Sequence, residues 1–381
     1  MTEAEAYVAF NLTDNIGSVG VGRLSAAQGG SVADAWLTYG NHVSFDGQPV
    51  DYARITQEFA KARASGTTLL TPADADYPRS LLMNPGHPLC LYVRGNVKAL
   101  SMPSIALVGT RKATAYGLDQ AYRFGRDLAA AGWCIVSGLA VGIDAEAHRG
   151  ALAAENGVTV GVIGSALNKF YPEKNVELAR EIVKHGGAVV SEFPFGRPPD
   201  QKTFPQRNHV VAGLVYGVVA IEAPAKSGTL ITANIAAEMG KDVFAIPGRV
   251  DSQASAGCLN LIRDGAILAR CPTDVSDAFD DLFKSSRNAA ASRKPAAAAA
   301  GGGGGAGRTA APPPVAPPRR PLSDDARAIL HGLTAEGETI DAIVRRTGLP
   351  VAKVSAAAMS LLMTGLVRFL PGQRVALPRE E

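Results

Sequence analysis

Two short apolar runs, each ending in a glycine-bearing loop that leads into a helix, constrain this chain more than anything else in it. Ile105-Ala106-Leu107-Val108 breaks into Gly109-Thr110-Arg111-Lys112. A helical pattern follows, with Leu118, Ala121, Tyr122, Gly125, Leu128 and Ala129 on one face, and Gly132 stops it. Trp133-Cys134-Ile135-Val136 then breaks into Ser137-Gly138-Leu139-Ala140-Val141-Gly142-Ile143-Asp144. Strand, loop, helix, strand, loop, helix is a βαβ unit, whose strands run parallel. Open sheets of this kind bind ligands where their strands end, and helix N-termini there offer backbone N–H groups to phosphates.

The alternation continues beyond this unit. Val158–Ile163, Ala188–Ser191, Gly217–Glu222 and Asp242–Ile246 read as further strands, and Leu89–Val93 as one ahead of the unit. Helices are expected over Asn175–His185, Arg207–Leu214 and Thr229–Met239, with a long connection from Glu192 to Gln206. Strands buried on both faces and alternating with helices describe an α/β fold with a doubly wound parallel sheet.

Composition divides the rest. Polyalanine, five consecutive glycines and Pro312-Pro313-Pro314 make 284–321 a flexible linker, whose Lys284, Arg287, Arg293, Lys294, Arg308, Arg319 and Arg320 face no acidic residue. The chain therefore divides into a helical segment 1–66, an α/β core 67–283, the linker 284–321 and a compact end 322–381. In that end, Ser323 and Thr339 can cap two helices and Val351–Thr364 forms a third. A hairpin turning at Pro371-Gly372 completes a winged helix. Lys353 is the only charge on the third helix, which favours a structural or protein-contact role over base reading. In the first segment, Asn15–Gly22 is a glycine-spaced turn before a helical pattern from Arg23 to Gly29. It suits either a helix-hairpin-helix contact to DNA phosphates or a tight turn in a small bundle.

Several classes of chemistry are excluded by what the motifs lack. Cys90, Cys134, Cys258 and Cys271 form no CxxC pair, and no histidine stands at metal-ligand spacing, so reduced thiols, no metal and no cofactor are expected. The start has no secretory pattern and no apolar run is long enough to span a bilayer, so a cytoplasmic chain without membrane contact is expected. No P-loop is present, and the first core loop, Gly109-Thr110-Arg111, is not G-x-G-x-x-G, which disfavours a dinucleotide site. Ser137, Asp144 and His148 invite a catalytic reading because Asp144 and His148 are i,i+4 neighbours. The alternative makes Asp144 the N-cap of a helix from Ala145 and His148 its satisfied neighbour, and G-x-S-x-G is absent.

What remains is friendly to phosphate. Net charge is only +3, so affinity for nucleic acid must be local. Gly109, Thr110, Arg111 and Lys112 follow the first core strand, and Ser137 and Gly138 follow the second. Lys202, Phe204, Arg207 and Asn208 surround the start of a short helix, and Lys226-Ser227-Gly228-Thr229 opens another. Cationic side chains, helix N-termini and an aromatic suit single-stranded DNA, where phosphates are neutralised while bases stack.

Ala106–Arg111, Ser137–Asp144 with Ala147–Leu152, and Phe204-Pro205-Gln206-Arg207-Asn208 resemble signatures of the DprA/Smf family. So do Glu222-Ala223 with Ser227–Ala233, and Ile246-Pro247-Gly248 followed by Leu261–Ala266. The resemblance covers essentially the whole chain. It implies an extended Rossmann core between a small helical (SAM-like) domain and a winged helix. It also implies sequence-independent binding of single-stranded DNA, a homodimer, loading of RecA recombinase in natural transformation, and no enzymatic activity. By the same resemblance Arg111 binds phosphate, Lys202 and Arg207 line its groove, and Ser227, Gly228 and Thr232 shape the adjacent loop. The chain departs from the family pattern at Val141 and His209, where arginine is usual. It departs again at Asn84-Pro85-Gly86-His87-Pro88, where the family has aspartate-proline-proline. The competing reading is a nucleotide-monophosphate phosphoribohydrolase of the lysine-decarboxylase-like fold. Its P-G-G-x-G-T-x-x-E signature is not met by Pro224-Ala225-Lys226-Ser227-Gly228-Thr229. A winged-helix transcription factor is disfavoured by the charge-poor third helix.

Overall fold

The structure is a computed structural model that describes residues 1–13, 16–39, 46–279, 324–334, 337–363, 366–370 and 374–377. The linker 284–321, the Ser323 cap, the Pro371-Gly372 turn and Asn15 lie outside the described residues. The chain forms two compact units, Met1–Ala278 and Phe279–Glu381.

The first unit opens with four helices, α1 (Glu3–Leu12), α2 (Ser18–Ala26), α3 (Val32–Tyr39) and α4 (Tyr52–Ala64). Two short elements, strand β1 (Thr68–Leu70) and helix α5 (Arg79–Leu82), lead to β2 (Leu91–Gly95). Then follow β3 (Ser104–Val108), α6 (Ala115–Ala130), β4 (Cys134–Ser137), α7 (Ile143–Ala153), β5 (Thr159–Val162), α8 (Val176–Lys184) and β6 (Ala188–Ser191). The chain next crosses over through α9 (Thr203–Leu214) to β7 (Gly217–Ala220). It continues with α10 (Gly228–Glu238), β8 (Asp242–Ala245), α11 (Ala256–Arg263), β9 (Ile267–Leu268) and α12 (Pro272–Ala278).

The sheet order is β1-β2-β6-β5-β4-β3-β7-β8-β9. From β6 to β9 every neighbouring pair is parallel. β2 joins β6, and β1 joins β2, in antiparallel register. The direction of winding reverses at β3, with β4 on one side and β7 on the other. That is the topological switch of a doubly wound sheet. Strands β3, β4, β5, β6 and β7 are buried along their whole length, as helices on both faces require.

The four N-terminal helices share a core with the sheet. Phe10, Trp36 and Ile55 belong to one buried cluster with Tyr92, Leu139, Ile163 and Phe195. The stretch expected to be a glycine turn is helical from Ser18, so Gly20 and Gly22 lie inside α2. The Val21 N–H is spent on the Gly17 carbonyl, 3.0 Å away, as a helix uses its amides. On α6 it is Phe124 that is buried, while Tyr122 is 37% exposed, so the buried face is rotated from the one expected.

The second unit contains α13 (Asp324–Leu330), β10 (Glu338–Thr339), α14 (Ile340–Thr347), α15 (Val351–Met363), β11 (Arg368–Leu370) and β12 (Arg374–Ala376). Its small sheet runs β10-β12-β11, all antiparallel. Thr339 Oγ1 caps α14 by accepting from the Ala342 N–H at 3.2 Å. Among the described residues no helix is long and apolar enough to cross a membrane.

Helices α6 and α7 approach through glycine. A methyl group on Gly125 would overlap the Ala147 carbonyl, and one on Gly150 would overlap the Tyr122 carbonyl. Overpacking a rigid site costs roughly 1–3 kcal/mol, which outweighs the ~1 kcal/mol that alanine gains over glycine in a helix. Urea melts should therefore find Gly150→Ala destabilised, by up to about 2 kcal/mol net. Gly22→Ala, at a helical position with open space around it, should be neutral or stabilising. Equal losses in both variants would refute the close-approach explanation.

Candidate functional site

A cavity of about 710 Å³ opens at the carboxyl ends of β4 and β5, and the loops after β3, β5 and β6 wall it. Arg111, Gly138, Val141, Gly164, Phe204 and Arg207 line it, together with Asn168, Lys169, Tyr171, Glu173 and Lys174 from the segment between β5 and α8.

Arg207 anchors the site. It is 7% exposed, and its Nη1 donates to the carbonyls of Gly138 (after β4) and Val162 (the end of β5), the latter at 2.6 Å. Its Nε donates to Asn208 Oδ1 at 3.1 Å. A side chain at position 138 would collide with the Arg207 guanidinium and the Asp144 carboxylate, so glycine is required where the two meet. Burial raises the Asp144 pKa, against the attraction of Arg207 and the N–H groups of Ala140 and Gly138. Burial lowers the Arg207 pKa; Asp144 opposes the shift and the positive charge of Arg111 adds to it.

Arg111 lies in the loop after β3 with its guanidinium carbon 5.0 Å from the centre of the Phe204 ring, a cation–π arrangement. Phe204 rests against the backbone after β5: a methyl on Gly164 would come within 2.9 Å of the ring. Tyr171 stands 5.9 Å from Phe204 between ring centres. Among the described residues no carboxylate lies within ion-pair distance of Arg111, Lys169, Lys174 or Lys202. Two arginines that repel across a cavity, the outer one without an acidic partner among the described residues, make the electrostatics there favourable to an anion.

The loops themselves are held by backbone geometry. Thr110 N–H donates to the Glu222 carbonyl at 2.8 Å, and Thr110 Oγ1 accepts from the Lys112 N–H at 3.2 Å. Gly109 has room for no side chain because Ile143 fills the space. Lys112 is exposed, and Lys202 is exposed at the start of α9 but does not line the cavity. Ser227, Gly228 and Thr232 do not line it either. They form the first turns of α10, where Thr232 is buried and its hydroxyl faces the Gly228 carbonyl at 3.5 Å.

Two expectations need correction. The helix after β4 begins at Ile143, so Asp144 does not cap it and instead turns its carboxylate back toward the loop after β4. Ser137 donates to the Leu107 carbonyl at 2.6 Å, and His148 Nδ1 bonds Thr159 Oγ1 at 2.6 Å. Their partners are structural, and no described bond joins His148 to Ser137 or Asp144. Helix α9 begins at Thr203, not Arg207, since Pro205 fits a first turn, where its missing N–H has no helical acceptor. Asn168, Lys169, Tyr171 and Lys174 were missed as site residues. Their one signal was an aromatic–lysine interleaving around Phe170-Tyr171-Pro172. Among the described residues no group of three or more His, Cys, Asp or Glu could hold a metal.

Glu192, at the start of the connection from β6 to α9, is 9% exposed. Burial pushes its carboxyl up to about 7, against the 3.1 Å hydrogen bond from Gln206 Nε2. A carboxyl whose folded pKa is raised stabilises the fold while protonated. That contribution is complete below its unfolded value near 4.5 and is lost as pH rises through 7. Thermal melts across pH 4.5–8 should show wild type losing up to about 3 kcal/mol relative to Glu192→Gln. Parallel pH profiles would rule the buried carboxyl out as the cause.

A sequence model described as DNA recombination-mediator protein A matches residues 68–280, and one described as the DprA winged helix domain matches 311–373. Protein Smf of Escherichia coli (strain K12) is 34% identical over 311 residues, covering 81% of this chain and 78% of the relative. The crystal structure of DNA processing protein A from Streptococcus pneumoniae superposes with a TM-score of 0.61 at 31% identity. That match covers 72% of this chain and 97% of the other. DNA processing protein A from Helicobacter pylori, solved in a study of its single-stranded DNA binding mode, gives a TM-score of 0.51 at 28% identity. It covers 58% of this chain and 98% of that one.

Proposed function

The chain belongs to the DNA recombination-mediator protein A family, the DprA/Smf proteins, and we propose that it binds single-stranded DNA in the cavity beside β4 and β5. The observation that carries this reading is Arg111 stacked over Phe204 in front of the buried Arg207. A phosphate of the strand accepts from Arg111, while an unstacked base meets Phe204 and Tyr171. Lys169 and Lys174 take flanking phosphates. Nothing in this arrangement reads a base edge, so binding is independent of sequence. Support also comes from the Helicobacter relative, whose single-stranded DNA binding mode is what its structure was solved to describe.

The wider role follows from the family resemblance. We propose that the chain protects incoming single strands and hands them to RecA recombinase during natural transformation, as a homodimer and without chemistry of its own. The 67–283 core carries every residue that lines the cavity.

Arg111→Ala should weaken oligo-dT, oligo-dC and mixed strands alike, by about 1.5–3 kcal/mol, the scale of one charge-assisted hydrogen bond. It should also flatten the slope of log affinity against log salt by about 0.7, the single-strand value per phosphate. Arg111→Lys keeps the charge but not the fork, and recovers part of the loss. Fluorescence titrations across a salt series, run beside thermal melts, measure both. Unchanged affinity in a well-folded Arg111→Ala protein would place the DNA elsewhere.

A further inference from the structure

The connection from β6 to α9 is irregular, yet it supplies Pro199 to the cavity and leads directly into Phe204. Loops of this length hold a fixed shape only where other elements take up their backbone polar groups. Here those groups are taken up from two sides. The Phe195 N–H donates to Glu58 Oε1 at 2.7 Å, and Glu58 belongs to α4 of the N-terminal helices. The next amide, Gly196 N–H, donates to Asn168 Oδ1 at 2.9 Å, and Asn168 lines the cavity. Ala166 N–H then donates to the Arg197 carbonyl at 3.0 Å, which joins the loop after β5 to the same connection. A second strut comes from α1, where Asn11 Nδ2 donates to the Glu192 carbonyl at 3.3 Å. The Glu192 carboxyl group in turn accepts from Gln206, the neighbour of Arg207.

Glu58 is 2% exposed, and burial raises its pKa; Lys61, 3.8 Å from its second oxygen, and Arg54 both favour its charged form. Burying a carboxylate gains little stability, since an apolar side chain would avoid the desolvation cost. What the carboxylate does supply is direction. It fixes one peptide plane of the connection while the Phe195 ring is locked edge-on against Tyr92, 5.4 Å away.

We propose that the N-terminal helices brace the single-strand site, with Glu58 as the positioning residue that sets the connection carrying Pro199 and Phe204. This rests on the binding reading above, and it assigns to α1 and α4 a part in DNA affinity although neither helix lines the cavity.

The test uses the full chain and fluorescent oligo-dT. Glu58→Leu, which removes the acceptor, should bind roughly tenfold more weakly, the effect of losing one hydrogen bond in a buried setting. Hydrogen exchange over residues 192–206 should quicken in the same variant. Glu58→Gln keeps an oxygen that can accept from Phe195 and should restore both measurements. Wild-type affinity in folded Glu58→Leu overturns the proposal, as does weakened binding with unchanged exchange or with no recovery in Glu58→Gln. If Glu58→Leu does not fold, Asn11→Ala, which cuts the other strut, should lose about threefold, and no loss there overturns the brace. Arg111→Ala titrated alongside separates the two levels. If it alone weakens binding, the brace fails and the site stands. If neither variant changes affinity, the site itself is misplaced.

Discussion

A guanidinium buried at the ends of two parallel strands holds this site together. Arg207 donates to the carbonyls of Gly138 and Val162, groups that would otherwise end their strands unpaired in a water-poor place. Removing a charge from water costs several kcal/mol. Here two carbonyls, Asn208 and the Asp144 charge offset that cost. Lysine could not replace it, because a point charge has no fork with which to span two strands and a side-chain amide at once. Gly138 follows from the same contact, and so does the inward turn of Asp144.

The buried charge also sets the character of the cavity in front of it. Arg111 and Arg207 line the same cavity and repel each other, and the Phe204 ring accommodates the Arg111 guanidinium. Aromatic and cation thus occupy the same spot, which suits a polymer that alternates phosphates with flat bases. The walls on either side belong to loops that hold each other through Asn168 and Arg197 and lean on the N-terminal helices through Phe195. Since those helices share a hydrophobic cluster with the sheet, they are continuous with the scaffold of the site.

Much of this was legible in the sequence. The fully buried strands β3, β4, β5, β6 and β7 read as short apolar runs, and the loops after β3, β4 and β5 were identifiable from glycine. The two-residue β9 and three-residue β1 were not, because strands so short carry no period. Gly20 and Gly22 suggested a turn, and helix α2 tolerates them because tertiary packing outweighs propensity. Pro205 hid the first turn of α9. Glu58 could not have been found from sequence, since a buried carboxylate on an amphipathic helix reads as another surface charge until its partner, 137 residues away, is in place. The wall from Asn168 to Lys174 was missed for a related reason: short 3-10 turns have neither helical nor strand spacing.

The two departures from the family pattern differ in consequence once they are placed. His209 is exposed on α9, and its Nδ1 lies 3.2 Å from the Pro205 carbonyl within the same helix. It does not line the cavity, so an arginine there would add charge only at the periphery. Val141 does line the cavity, between the loop after β4 and the start of α7. The position that would hold a cation is apolar instead. Lys169 and Lys174 put two cations on the same cavity, from a wall whose charge owes nothing to position 141. Phosphate attraction depends on the sum of local charge more than on which residue supplies it. Orientation does not, because lysine neutralises a phosphate without fixing its plane. Four cationic side chains and one carboxylate, Glu173, therefore line the cavity, and of the cations only Arg111 and Arg207 carry a planar fork.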